Sequence, residues 1–247
     1  MRALLEGASY PLRALAALGR APRLWRFIVL PVVINMAVGA ALYAGLLLAG
    51  LRWVEGVVAG LPAWAAPLGT LLQILLVVGL LVATGFLLVR FGVVLGSPFY
   101  SRLSEELEIA RLGAAPPAEP LSLRGVARDL WRALAYELKK LALALALGTP
   151  LLLANLLPVA GQAIATTGGI ALGATIACLD FLDPPLERRR LRFRAKLAVV
   201  RRALPASAGF GLACLGLVSI PLVNLLAIPL CVAAGTLFFC DRLAHNV

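Results

Sequence analysis

The stretch Leu141–Leu179, LALALALGTPLLLANLLPVAGQAIATTGGIALGATIACL, runs thirty-nine residues without a charged side chain. One membrane crossing takes about 20 apolar residues, so the run is too long for a single helix and tight for two with a turn between them. Near its middle, Leu157-Pro158-Val159-Ala160-Gly161-Gln162 carries the proline and glycine that break helices. The turn leaves a first arm of 17 residues, Leu141–Leu157. As a helix that arm reaches about 25 Å, against a hydrocarbon core of about 30 Å. The spacing predicts a helical hairpin that dips into a bilayer and returns to the side it left.

The remaining composition agrees with a lipid environment. Of 247 residues, 62% are hydrophobic and 14% charged, against about 25% charged in soluble domains. The net charge of +11 is not read as a nucleic-acid footprint, because the basic residues sit in blocks beside apolar spans, as cytoplasmic loops of membrane proteins do. They are placed to meet anionic lipid head groups. Cys178, Cys214, Cys231 and Cys240 lie in or at the ends of apolar runs without a CxxC spacing, which reads as buried free thiols. With His245 as the only histidine, there is no ligand set for a zinc or di-metal site.

Outward from the central run, residues 1–22 interleave arginine with leucine, Leu12, Leu15 and Leu18 at helical spacing; this predicts an amphipathic helix in the head-group region. A first transmembrane unit is expected over 23–51, with Pro31 separating a short segment 23–30 from the main span and Asn35 as its one strongly polar side chain. Asn35 would bond a neighbouring helix or line a permeation path. Arg52–Pro67 reads as a connection, with Trp53 and Trp64 as interfacial anchors. The second transmembrane helix is expected over 68–90. Gly96-Ser97-Pro98-Phe99-Tyr100 should break it, and charged cytoplasmic helices should follow to residue 140 around an Ala114–Pro120 linker.

Ala203–Cys240 is a second uncharged stretch, 38 residues long, broken at Ile220-Pro221-Leu222-Val223-Asn224. Hairpins are therefore expected at 141–180 and 203–240. Together the two form a loose internal repeat of apolar arm, proline turn with an amide nearby, apolar arm and aspartate. Paired interrupted helices of this kind point to a transporter site, or to tight hairpins packing as scaffold. The N-terminal segment holds five Lys/Arg, 90–140 eight and 188–202 eight, which leaves Arg52 and Arg242. Two spans and two hairpins that return to their own side put all but Arg52 on one face, cytoplasmic by the positive-inside rule, with both termini there.

No catalytic constellation emerges: there is no Gly-rich phosphate loop, nucleophile elbow or histidine beside a serine. Glu105 and Glu108 lie on a charged helix, within reach of Arg102 and Arg111. An anion site is the better candidate. Pro22-Arg23-Leu24-Trp25-Arg26 opens a helix at the cytoplasmic interface; helix N-termini offer unpaired N–H groups, and arginine offers planar bidentate donors for oxyanions. The bland reading is that these arginines snorkel to lipid phosphates.

Four segments carry a resemblance. Pro22–Asn35 (PRLWRFIVLPVVIN), Ser97–Glu108 (SPFYSRLSEELE), Leu157–Gln162 (LPVAGQ) and Ile220–Asn224 (IPLVN, with Pro229 and Ala234-Gly235-Thr236 after it) resemble the CysZ-type sulfate permease family, which includes the etoposide-induced-protein-like membrane proteins. Leu179–Leu186 fits as well. The resemblance implies an all-α integral membrane protein with two long transmembrane helices and two partly penetrating hairpins. It also implies sulfate entry across the bacterial inner membrane for cysteine synthesis, through a homo-oligomer; no cofactor is expected. The family's sulfate-contacting run is Gly-hydrophobic-Arg(-Arg). Here it reads Arg23-Leu24-Trp25-Arg26, so Arg26 matches the second basic position while Arg23 and Trp25 replace the glycine and the first arginine.

Two readings follow, both of one membrane domain over 1–247. In the first, the chain moves sulfate or a related oxyanion, with Arg23, Trp25 and Arg26 at the substrate and Glu105, Glu108, Glu137, Asn35 and Asn224 as polar support. In the second, it is a non-transporting membrane scaffold or assembly protein, consistent with the altered arginine run and the few polar residues inside the apolar stretches.

Overall fold

A computed structural model describes residues 1–60, 62, 66–116, 123–157 and 160–244. Among them every regular element is helical: α1 (Arg2–Ala8), α2 (Tyr10–Arg20), a 3-10 turn (Pro22–Trp25), α3 (Arg26–Val58), α4 (Ala66–Leu112), α5 (Leu123–Ala154), α6 (Gly161–Arg188), α7 (Phe193–Arg202), α8 (Ala206–Val218) and α9 (Pro221–Arg242). Among the described residues three stretches are long and apolar enough to cross a membrane: Pro22–Val58, Pro67–Gly85 and Gly161–Arg188. The chain forms two compact units, one of Trp25–Tyr100 and one of Met1–Leu24 with Ser101–Val247. The expected turn residues Pro158 and Val159, the anchor Trp64, the 117–120 part of the linker and His245 lie outside the described residues.

In the Trp25–Tyr100 unit, large apolar side chains point outward along α3 and along α4 as far as Val82, among them Val29, Val33, Leu42, Leu46, Leu71, Leu75, Val78 and Val82. A helix apolar on every side suits lipid rather than water. The helices meet through glycine: a Cβ on Gly50 would lie 2.8 Å from the Leu76 methyls, and one on Gly69 2.9 Å from Val58. Small residues at such contacts let backbones approach where no hydrophobic effect drives association.

Three expectations for these helices change. Pro31 does not divide a short segment from the span, since α3 runs through it. Pro98 likewise lies inside α4. Proline fixes a helix-compatible φ, and apolar spans tolerate its missing donor; Gly96 leaves room for the Tyr100 ring, which a Cβ there would meet at 2.5 Å. The connection expected from Arg52 starts later, because α3 carries Arg52, Trp53 and Glu55 on to Val58. A charge marks the edge of lipid, not the end of a helix.

The other unit is built on two antiparallel helix pairs, α5 with α6 and α8 with α9, with α6 packed against α8 and α9. At the first turn the Leu157 N–H donates to the Ala154 carbonyl (2.9 Å) and the Gly161 N–H to that of Leu157 (3.2 Å). A Cβ at Gly161 would sit 1.9 Å from the Ala154 oxygen, so the reversal requires glycine there. The second break falls at Ser219–Ile220. Ile220 is extended and Pro221 takes the first position of α9, where proline costs no hydrogen bond; Pro229 lies inside the helix.

The core of this unit is aromatic and aliphatic. Phe210 stacks on Phe238 (5.3 Å between centroids), and Tyr10 meets Phe238 edge-on at 5.0 Å. Leu179, Leu182, Leu186 and Leu237 are fully buried around them. The N-terminal helices join this core, α1 on α8 and α2 on α9. They divide the Leu12, Leu15, Leu18 stripe read from the sequence: Leu18 is buried with Tyr10 and Ala14, whereas Leu12 and Leu15 face outward. Helix contacts again pass through glycine, with a Cβ on Gly7 falling 1.9 Å from the Ala206 oxygen and one on Gly211 2.2 Å from that of Ala174.

Candidate functional site

Where the ends of α4, α5 and α6 meet α7 and α9, charged side chains collect into a paired layer. Asp180, Asp183 and Glu187 recur on one face of α6, three and four residues apart. Asp180 accepts from Lys140 Nζ at 2.7 Å, and Glu187 accepts from Arg132 Nε at 2.8 Å. Lys196 of α7 is buried and donates to Asp183 (2.5 Å) and Glu187 (2.6 Å). Its ammonium also lies over the Tyr136 ring at 4.5 Å, with that of Lys140 at 5.4 Å. Three carboxylates thus face three cations, which offsets much of the cost of taking each charge out of water.

A second group surrounds Glu108, whose side chain has no exposed surface. Arg188 Nη2 reaches one carboxylate oxygen at 2.5 Å and Arg189 Nη2 the other at 2.6 Å. Arg188 also donates to Ser104 Oγ at 2.8 Å. Thr236 Oγ1 gives its proton to the Val232 carbonyl (2.9 Å), so at 2.7 Å the Ser104 hydroxyl donates to Thr236. The Arg189 guanidinium lies 4.3 Å over Phe239. One carboxylate therefore ties the tail of α4 to the end of α6, and two hydroxyls extend the tie to α9.

The expected site residues distribute unevenly over this geometry. Glu108 is central to it, but its partners are Arg188 and Arg189; Arg111 instead stands 4.0 Å from Asp241. Glu105 pairs locally with Arg102 at 3.1 Å, as expected. Glu137 is exposed and shares Lys140 with Asp180. Arg23 is exposed in the 3-10 turn of one unit, while Trp25 and Arg26 belong to the other, where the Arg26 guanidinium lies 4.6 Å over Phe27. Asn35 is buried in α3 and Asn224 half-buried in the first turns of α9; the Oδ1 of each has no hydrogen-bond partner among the described residues. Arg132, Lys140, Lys196, Arg188, Arg189, Ser104 and Thr236 were not singled out from sequence. The three-and-four spacing of Asp180, Asp183 and Glu187 was the available signal for their face.

The four cysteines are free and buried. Among the described residues no group of three or more His, Cys, Asp or Glu side chains stands together to hold a metal ion. Apolar helices of bilayer length, hairpins of interrupted helices and a partly buried layer of paired charge define a helical integral membrane protein. The family described as "Sulfate transporter CysZ/Etoposide-induced protein 2.4" matches residues 10–229, and the chain belongs to that family. Relatives include the sulfate transporter CysZ of Salmonella typhimurium, 26% identical over 220 residues that cover 89% of this chain and 86% of that protein. The sulfate transporter CysZ of Pectobacterium atrosepticum is 25% identical over 221 residues, 90% of this chain and 80% of the relative.

Proposed function

We propose that this protein is a permease for sulfate, or a closely related oxyanion, in the bacterial inner membrane, where it supplies sulfate for cysteine synthesis as a homo-oligomer. The observation that carries the proposal is the family match over nearly the whole chain, together with relatives at 25–26% identity that are named sulfate transporters. The basic chemistry fits a doubly charged tetrahedral anion. Arg23 and Arg26, at the entry to α3, offer planar guanidinium donors, and Trp25 stands between them in sequence. Glu105, Glu108 and Glu137 serve as polar support, Glu108 by joining α4 to the end of α6, and the open acceptors of Asn35 and Asn224 do so in the spans.

Uptake of radiolabelled sulfate into proteoliposomes tests this reading. Uptake should exceed that of empty vesicles, fall to the empty-vesicle level in Arg26→Ala, and be competed by other tetrahedral dianions. Uptake no greater than in empty vesicles, or unchanged in Arg26→Ala, overturns it.

In this reading both termini are cytoplasmic and both hairpins penetrate partway. The uncharged part of α5, Leu141–Ala154, is 14 residues, or about 21 Å of helix, short of the hydrocarbon thickness. A cysteine at the exposed turn residue Ala160 should stay unlabelled by an impermeant maleimide added from the periplasmic side. The four native thiols are buried and contribute little background. Efficient labelling from that side would make the hairpin a double crossing.

A further inference from the structure

The two charge groups of this unit differ in their balance. Around Lys196, three carboxylates meet three cations. Around Glu108, one carboxylate meets two guanidiniums, and among the described residues neither Arg188 nor Arg189 reaches another acid. Asp241 of α9 stands with Arg111 instead. A positive charge is therefore left over beside a carboxylate with no exposed surface. The match of donors to acceptor is incomplete as well. Arg188 turns both Nε (3.0 Å) and Nη2 (2.5 Å) on one oxygen, Oε2. Oε1 lies 2.6 Å from Arg189 Nη2 but accepts no aligned hydrogen bond. A carboxylate matched to an arginine takes two parallel bonds, one on each oxygen, and this one does not.

The arginines do not depend on Glu108 for their place. Arg188 also donates to Ser104 Oγ and, from Nη1 at 3.5 Å, to the Ser101 carbonyl. Arg189 donates to the Pro185 carbonyl at 3.1 Å and lies over the Phe239 ring. All of these partners are neutral, and they keep both guanidiniums converged when the carboxylate is absent. Arg188 and Arg189 leave 15 and 20% of their side-chain surface open. The pair is thus reached from water, while Glu108 is not.

We propose that Arg188 and Arg189 form a binding site for a doubly charged tetrahedral oxyanion, and that Glu108 occupies it as a tethered competitor. A dianion balances two guanidiniums, where one carboxylate leaves a positive charge over. Its tetrahedrally placed oxygens give separate acceptors to the planar fork of Arg188 and to Arg189, whereas the carboxylate crowds both donors of Arg188 onto one atom. Binding of the dianion displaces the carboxylate and unties the tail of α4 from the end of α6. The site is distinct from the Arg23–Arg26 run. It rests on the proposed function only for the choice of sulfate as the probe.

Thermal unfolding of the full chain in detergent and chloride buffer tests the site through Glu108→Ala, which removes the competitor. A ligand that binds the folded state raises the midpoint. Sulfate should raise that of Glu108→Ala by several degrees beyond chloride at equal ionic strength. The rise should exceed that of the parent, which already counts any binding at Arg23 and Arg26. The double variant Glu108→Ala, Arg188→Ala should lose the excess. Glu108→Gln, neutral and of the same shape, gives a second reading if Glu108→Ala does not fold. It should bind radiolabelled sulfate several-fold more tightly than the parent in equilibrium dialysis. Equal responses in parent and variants, or an excess that survives in the double variant, overturn the proposal. So does an equal rise with phosphatidylglycerol in place of sulfate, which would make this a site for a singly charged lipid head group. A chain that takes up sulfate into proteoliposomes but shows no binding dependent on Glu108 keeps the proposed function and loses this site.

Discussion

Glu108→Ala is expected to destabilise the protein by about 3–5 kcal/mol, the cost of removing one partner from a buried ion pair. Both oxygens of this carboxylate are engaged, one by Arg188 and one by Arg189, and its side chain has no exposed surface. Without it two guanidiniums stand together with no counter-charge. The loss is one of position as well as of charge, because Arg188 also holds Ser104, which leads on to Thr236. Glu108→Gln keeps shape and one acceptor and should lose less. Arg188→Ala leaves Arg189 on the carboxylate and should also lose less than Glu108→Ala. Thermal unfolding in detergent, followed by the fraction that remains monodisperse, gives the order. A midpoint for Glu108→Ala equal to that of the parent would remove the central role assigned to this residue.

The second large effect is steric. Pro185 has no N–H, so the Phe181 carbonyl four residues earlier in α6 loses its helical partner. Gly235 of α9 packs against that freed oxygen, and a Cβ there would lie 2.1 Å from it. Gly235→Ala must therefore push α9 away from α6, at a cost of about 1–3 kcal/mol or more for overpacking. Gly216→Ala, where an added Cβ meets nothing within 4 Å, should be neutral or stabilising by up to about 1 kcal/mol. Equal midpoints for the two variants would show that the contact gives way easily.

Much of the architecture is legible in the sequence because lipid imposes simple rules. Absence of charge marks the long stretches, and Gly161 and Pro221 mark the reversals. Proline was the less faithful signal elsewhere. Pro31 and Pro98 read as breaks because in water they would be, yet α3 and α4 continue through them, as apolar spans allow. The charge layer was half legible. Spacing along α6 puts Asp180, Asp183 and Glu187 on one face, but their partners depend on how α5 and α7 dock, which no local pattern encodes. Glu108 shows the limit clearly: the i, i+3 rule offers Arg111, whereas the fold supplies Arg188 and Arg189, some 80 positions away. The leucines of α2 fail for a related reason, since Leu12, Leu15 and Leu18 share a spacing but not a neighbour.

The seat of α1 on α8 has a consequence for how the protein is made. Gly7 meets the backbone of Ala206, so its binding surface is synthesised about 200 residues after it. At about 5–20 residues per second, the opening helices spend roughly 10–40 s without their partners, while the spans between are being inserted. During that interval the outward Leu12 and Leu15 of α2 and the arginines beside them are open to a membrane surface, which amphipathic helices of this kind bind. Helices α1 and α2, made before the surfaces they seat on, are then among the last to be fixed in place.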